Sequence, residues 1–347
     1  MKQGKTVTID GRYGEGGGQI LRTALTLSAL FAVPLHIHHI RGNRTKPGLR
    51  PQHLTAVQAL ARITRARVTG ARVDSCELVF EPGIITGGNY SFQIGTAGST
   101  GLALQTIIPV LLFGKTPSQI QVTGGTHVPW SPSFHYLEAI FAPTLKKMGG
   151  AVSFEIEQWG WYPQGGGSVI SKIDHTQGLT AIHLSHRGKL FDLHILSAVS
   201  NLPLSIAERQ RDQALKRVDH LDLSPCIQTE DAPSPGQGTV LFLAAQFEGG
   251  AGGFTSLGRR GKRAEAVADD ACNEFLSFLD SKAVIDVHLA DQLVLYMALA
   301  RGSSTLITER ISDHLLTNVW VIEQFAPVKF HIDQKTEKIT VNGMGFH

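Results

Sequence analysis

Residues 14–22 read Gly14-Glu15-Gly16-Gly17-Gly18-Gln19-Ile20-Leu21-Arg22, a glycine run carrying one carboxylate. It follows an alternating segment at 6–9 and opens an apolar-periodic one, which predicts a strand, a loop and a helix. Glycines let a backbone approach a ligand closely, and the free N–H groups of a helix start attract anions. Gln19 stands where a dinucleotide fingerprint requires its last glycine, so the run is not that motif. Glu15 beside an anion site makes chemical sense as a ligand for a divalent cation. As a helix-terminal charge alone it would contribute only about 0.3 kcal/mol.

Arg41, Arg44, Lys46 and Arg50 form a second polar group, within a loop that also holds Gly42 and Gly48. Guanidinium groups fixed by a tight loop bind phosphate bidentately. Gln52 and His53 open the next predicted helix, and Arg22 lies one turn into the first. A third group comes later: Leu289-Ala290-Asp291-Gln292, then Ser312-Asp313-His314-Leu315-Leu316-Thr317-Asn318. His314 stands at the start of an amphipathic helix, in the place that His53 and His135 take in two related segments. The residue pattern alone does not choose His314 over His53. Gly114-Lys115-Thr116 is not a phosphate loop, because Pro109 holds its first glycine position and the segment follows a helix. Lys5 with Asp10-Gly11 lacks the spacing of a lysine nucleophile motif and reads as a strand-edge lysine.

The elements that must position these groups repeat. Residues 16–40 read as glycine loop, apolar helix, proline turn and strand, and 98–122 read the same way at the same length. Leu25 pairs with Ile107, Phe31 with Phe113, Ile40 with Val122 and Gly42 with Gly124 at constant offset, the mark of a duplicated unit. A second helix and two strands follow each copy, at 52–64, 67–69 and 77–80, then at 134–147, 152–157 and 168–173. A weaker third copy takes helices at 289–300 and 313–325, with strands at 305–308, 328–332 and 339–341. Residues 186–284 break the pattern with strands at 190–196 and 239–246 and helices at 205–218 and 263–279. Segments 232–238 and 249–253 read as Gly/Pro/Ser-rich connections. The expected fold is α+β: three repeated units of two helices on a four-stranded sheet, spanning 1–185 and 285–347. A smaller α+β domain, 186–284, is inserted between the second and third units.

Hydrophobic residues make up 42% and charged residues 18% of 347 positions, an ordinary globular balance. The longest apolar runs, such as 107–113, are too short to span a bilayer, and residues 1–5 carry no apolar signal core. Cys76, Cys226 and Cys272 fit no metal spacing and read as reduced thiols of a cytoplasmic protein. A net charge of +3 makes no nucleic-acid case by itself. The basic cluster Arg259, Arg260, Lys262, Arg263 reads either as a solvated loop or as a contact for RNA.

Six segments in order resemble the RNA 3′-terminal phosphate cyclases along essentially the whole chain. They are 14–22, Arg44-Thr45-Lys46-Pro47-Gly48-Leu49 with Gln52-His53-Leu54, Gly95-Thr96-Ala97-Gly98-Ser99, Gly124-Gly125-Thr126, 289–293 and 314–318. The resemblance implies ATP as substrate, a divalent metal (Mg or Mn) and an RNA with a 3′-phosphate end. His314 becomes the residue that takes AMP, Glu15 the metal holder, and Asp291 and Gln292 its neighbours. Arg22, Arg41, Arg44, Gln52, His53 and Gln105 match phosphate- and substrate-handling positions. His288 stands where relatives place a tyrosine against the adenine, with Pro132 and Tyr136 on the opposite side of the base. Trp130 is either a stacking platform for an RNA base or a partly buried residue. The expected partners include no membrane, and a homodimer is compatible with the family.

Two other readings compete. One is a non-catalytic ribosome-assembly factor of this fold, whose relatives lack the histidine that this chain keeps at 314. The other is an enolpyruvyl transferase built from similar units, against which the 314–318 segment and the Arg41/Arg44 loop argue.

Overall fold

The computed structural model describes residues 6–347; Lys5 and its predicted strand-edge position lie outside them. The first unit runs β1 (Val7–Asp10), α1 (Gly18–Phe31), β2 (Leu35–His38), α2 (Pro51–Thr64), β3 (Arg67–Thr69) and β4 (Leu78–Glu81). Leu35 and Ile37 of β2 are buried while His36 and His38 are half-exposed, the period-2 pattern of a sheet covered on one face. α1 ends at Ala32, which adopts a left-handed φ of 51°, and Val33-Pro34 then turns the chain into β2. Pro51 fits the first turn of α2, where its missing N–H has no partner to lose. The strand order is β1-β2-β4-β3; β1 and β2 are parallel and the other neighbours antiparallel.

The second unit repeats this order as β5-β6-β8-β7: β5 (Asn89–Gln93), α3 (Thr100–Leu112), β6 (Ser118–Gly124), β7 (Val152–Gln158) and β8 (Gly167–Ile173). The helix predicted at 134–147 is interrupted. It comprises α4 (Phe134–Tyr136), a π-helical turn (Leu137–Phe141) and α5 (Ala142–Lys147). Pro143 accounts for the interruption, because it offers no N–H to the Ala139 carbonyl and its ring crowds it. That carbonyl instead accepts Gln246 Nε2 at 3.0 Å.

The third unit is split. Its first strand, β9 (His183–Leu184), precedes the intervening segment, which holds β10 (Leu190–Ser200), α6 (Leu204–Val218), β11 (Cys226–Asp231), β12 (Gly238–Phe247), β13 (Ala251–Leu257) and α7 (Ala264–Asp280). The unit resumes with α8 (Val287–Leu299), β14 (Arg301–Ile307), α9 (Asp313–Phe325), β15 (Phe330–Asp333) and β16 (Lys338–Met344). Its sheet, β9-β14-β16-β15, has the order of the other two, with β9 parallel to β14.

The intervening segment forms a sheet of order β11-β10-β12-β13. One face, with Leu193, Ile195, Leu241 and Leu243, packs on α6 and α7 through Ala214, Phe275 and Phe278. The other, with Leu196, Ala198, Val240 and Phe242, joins the core of the repeated units. Burial on both faces explains the nearly continuous apolar runs of β10 and β12. The connection expected at 249–253 is largely strand β13: a Cβ on Gly253 would lie 2.6 Å from Tyr136 Cδ2, so a residue without a side chain lets that ring pack on the strand. Among the described residues, no helix is long and apolar enough to cross a membrane.

Candidate active site

The glycine loop between β1 and α1 turns on Gly14 and Gly16, with φ of 54° and 60°. A side chain at Gly14 would strike Thr317 Oγ1, and one at Gly16 would strike Asn43, so the loop lies flat against α9 and the arginine loop. The Glu15 N–H donates to Thr317 Oγ1 at 3.3 Å. The Glu15 carboxylate then sits between Arg44 and His314. Arg44 pairs with Oε1, and His314 Nδ1 lies 3.0 Å from Oε2. The imidazole is not aligned as a donor to Oε2, which is buried without another hydrogen-bond partner. An orphaned carboxylate oxygen beside the imidazole at the cavity's edge fits a divalent cation.

His314 occupies the first turn of α9. Ser312 caps that helix by accepting from the Leu315 N–H at 2.9 Å, and its hydroxyl donates to Asp291 Oδ1 at 2.6 Å. Burial of the imidazole lowers its pKa. Asp291 acts in the other direction, and Arg22 and Arg44 lower it further. The ring is therefore mostly neutral at pH 7 and its lone pair is available. Burial raises Asp291 to about 6, against the pull of Ser312 and His314.

A cavity of about 420 Å³ extends from His314. The opening turns of α1, α3, α4, α8 and α9 converge on it, and β13 and α7 close its far side. Arg22 is largely buried in its wall, where burial lowers the guanidinium to about 10. Its Nη2 donates to Gln19 Oε1, and its Nε has no partner. A buried cation so little compensated calls for an anion. Gln19 Nε2 and Thr23 Oγ1 both donate to Asn318 Oδ1, at 2.8 and 2.7 Å, and Asn318 Nδ2 donates to the Asp291 carbonyl at 3.0 Å. This chain of side chains locks α1, α9 and α8 around the cavity.

At the far end, the Tyr136 hydroxyl donates to Asp286 at 2.8 and 3.0 Å. Asp286, fully buried, also accepts the N–H groups of Gly253, His288 and Leu289 at 2.9–3.1 Å. Burial, then the Asp286 charge, raises the Tyr136 pKa well above 10. Tyr136 and His288 meet edge-on at 84° with centroids 6.5 Å apart, so they do not form a parallel clamp. Pro132 lines the cavity beside them, as do Gln105 and Gln292. Trp130, for which partial burial was one expectation, is 98% exposed at the mouth and carries a positive φ of 58°.

The structure thus brings Arg22, Gln105, Pro132, Tyr136, His288, Asp291, Gln292 and His314 to one cavity, with Glu15 and Arg44 against His314. Three expected residues stand behind it. His53 is buried, with Nδ1 accepting the Arg50 N–H at 3.2 Å and Nε2 packed at Gly18 close to Arg22. Burial, then Arg22, Arg41 and Arg50, push its pKa down to about 3. Gln52 Oε1 accepts the Ser99 N–H at 3.0 Å, at the N-cap of α3. Arg41 donates to the carbonyls of Lys46 and Gly48 at 2.8 and 3.1 Å, which folds its own loop. Of the histidines in equivalent places, His53 is buried, His135 is half-buried against His127, and His314 alone lines the cavity. Asp286 and Glu274 escaped the sequence reading. Asp286 had a usable signal, an aspartate immediately before an apolar helix; Glu274, within an amphipathic helix, had none.

A protein-family model described as "RNA 3'-terminal phosphate cyclase" matches residues 13–332. An RNA 3′-terminal phosphate cyclase from Pyrobaculum aerophilum is 42% identical over 346 residues, covering 98% of this chain and 99% of that one. One from Ralstonia nicotianae is 44% identical over 333 residues, covering 96% and 94%. The solved enolpyruvyl transferase NikO from Streptomyces tendae aligns over 99% of this chain and 49% of its own, with 10% identity and a TM-score of 0.40, too low to bear on function.

Proposed function

Because the chain belongs to the RNA 3′-terminal phosphate cyclase family, we propose that it converts RNA 3′-phosphate ends to 2′,3′-cyclic phosphates at the expense of ATP, with AMP carried on His314. The observation that carries this reading is the neutral, half-exposed imidazole of His314 set between Glu15, Arg44 and the buried cation Arg22.

In the first step a ring nitrogen of His314 attacks the α-phosphorus of ATP. Pyrophosphate leaves with the electron pair of the broken P–O bond, and the N–P bond leaves a cationic phosphoimidazole. Nδ1 faces Glu15, so Nε2 is the attacking atom. In the second step a 3′-phosphate oxygen of RNA attacks the AMP phosphorus and neutral His314 departs. In the third, the adjacent 2′-hydroxyl loses its proton and attacks the activated 3′-phosphorus, and AMP leaves. That closure is intramolecular and needs little beyond positioning. Charge gathers on phosphoryl oxygens throughout, so Arg22 and Arg44 lower the barrier where they stand. A divalent ion such as Mg or Mn would be held by Glu15 and would supply countercharge to the ATP phosphates. Arg41, Gln52 and His53 act from behind by holding the loop and the heads of α1 and α3. Pro132, Tyr136 and His288 receive the base, with Asp291, Gln292 and Gln105 along the same wall, and exposed Trp130 offers a stacking face to an RNA base. We take residues 186–284 as an inserted domain whose β13 and α7 close the base end.

Incubation with ATP labelled at the α-phosphate tests the proposal. An acid-labile, base-stable adduct is expected, absent in His314→Asn, with its AMP discharged onto 3′-phosphate RNA but not onto 3′-hydroxyl RNA. Label retained in His314→Asn, or attached to lysine, would reject it.

A further inference from the structure

Among the described residues, one group of carboxylate and imidazole side chains brings three ligand atoms within 4.8 Å of one another: Asp10, His38 and His39. None of the three lines the cavity. Asp10 and His38 are register partners at the ends of the parallel strands β1 and β2, so their side chains rise from the same face. His39 would point to the opposite face in a continuing strand. It adopts instead a left-handed φ of 51°, unusual for a non-glycine residue, and its ring turns back beside the other two.

The resulting distances are those of a chelate. His38 Nδ1 lies 2.8 Å from His39 Nδ1, and His39 Nδ1 lies 3.2 Å from Asp10 Oδ1. Two nitrogens each about 2.0 Å from a shared ion are about 2.8 Å apart when they sit at a right angle, and about 3.3 Å apart in a tetrahedron. We propose that Asp10, His38 and His39 form a binding site for a divalent transition-metal ion of tetragonal preference, Cu(II) or Ni(II), through two imidazole Nδ1 atoms and one carboxylate oxygen. The imidazoles, rather than oxygen donors, separate it from the magnesium-type site at Glu15. Its competitor is Arg12, whose guanidinium holds both Asp10 oxygens through Nε and Nη2 at 2.7–3.2 Å in an exposed contact that an incoming ion must displace. The site joins the roots of two loops: residues 11–17, which carry Glu15, and residues 40–48, which carry Arg44. A bound ion would pin those roots together.

The test uses the full chain without a histidine tag, in excess Mg2+, titrated with Cu2+ and followed by electron paramagnetic resonance. One Cu2+ per chain with two coordinated nitrogens is expected. The signal should be lost in His38→Asn and in His39→Asn and kept in His314→Asn and Glu15→Gln. Binding that survives both substitutions at 38 and 39, or that disappears with His314, overturns the proposal. If the histidine variants fail to fold, Arg12→Ala gives the second measurement. Removal of the competing guanidinium must tighten Cu2+ binding, and an unchanged or weaker affinity overturns the proposal as well.

Discussion

Glu15 Oε2 lies 3.0 Å from His314 Nδ1, across the junction of the first and third repeated units, and has no hydrogen-bond partner of its own. One unpaired carboxylate oxygen therefore faces the imidazole that lines the cavity. Glu15→Gln keeps the shape and removes the charge. Adduct formation is expected to slow about tenfold or more, and the requirement for Mg2+ or Mn2+ to rise with it. The rate of label incorporation over a metal titration checks this; an unaltered metal dependence would remove Glu15 from that role.

Arg22 places binding and stability in opposition. A buried guanidinium with an unpaired Nε costs the folded protein free energy that an anionic ligand returns. Arg22→Met preserves volume and abolishes the charge. ATP affinity is expected to fall roughly 10- to 150-fold, the equivalent of one charge-assisted hydrogen bond worth about 1.5–3 kcal/mol. The urea midpoint of the ligand-free protein should hold or rise. A variant that loses stability along with affinity would show that Arg22 is a structural residue instead.

Gly253 leaves room for the Tyr136 ring at the end of the cavity proposed to receive the base. Its φ is not in the left-handed region, so alanine strains no backbone there, but the added Cβ would meet the Tyr136 ring at 2.6–2.8 Å. Tyr136 is tethered through its hydroxyl to Asp286 and cannot simply swing away. Gly253→Ala is expected to cost about 1–3 kcal/mol of stability by overpacking and to weaken nucleotide binding. Urea unfolding and a binding titration measure the two effects, and an alanine variant with native affinity would dissociate β13 from the base site.

Three histidines, His53 and His127 buried and His135 half-buried, set an acid limit on the fold. His53 and His135 are pushed down to about 3, and His127 well below its usual value, each chiefly by burial. The unfolded chain binds protons at these sites below pH ~6.5 while the folded one does not, so stability present above that pH is lost as pH falls toward 3. The raised carboxylates Asp286 and Asp291 act with the opposite sign, binding protons in the fold before the unfolded chain does. The comparison that isolates histidine is a slope. Between pH 5 and 6, His135→Phe is expected to reduce the fall of unfolding free energy by up to about 1.4 kcal/mol per pH unit. Parallel slopes for the two proteins would place the acid sensitivity elsewhere.

Much of the architecture was legible because helices of the repeated units carry long apolar stripes at constant offset. The strands that went unread each lacked such a pattern. β9 has two residues, β5 buries only Phe92 well, and β11 leaves Cys226, Ile227 and Gln228 exposed. β13 hides its alternation behind Gly252 and Gly253, whose task is to admit the rings of Phe254 and Tyr136. At the site, the glycine loop and arginine loop were readable from residue type. The choice among His53, His135 and His314 was not, since their different burial arises from neighbours far away in the chain: Arg22 over His53, Trp159 tilted against His135, and open cavity beside His314.

The divided third unit has a consequence for how the protein is made. β9 finds its partner only when 305–306 has been synthesised, after the whole segment of β10 to α7. That segment brings its own ends together: Arg187, near its start, donates to the carbonyls of Phe278 and Leu279, near its end, at 2.7 and 2.8 Å. On the ribosome, the first two units can therefore close while the wall carrying Asp291 and His314 is still unmade. A nascent chain holds Glu15, Arg22 and Arg44 before it owns Asp291 and His314, so the proposed transfer of AMP from ATP cannot begin until the fold is nearly whole.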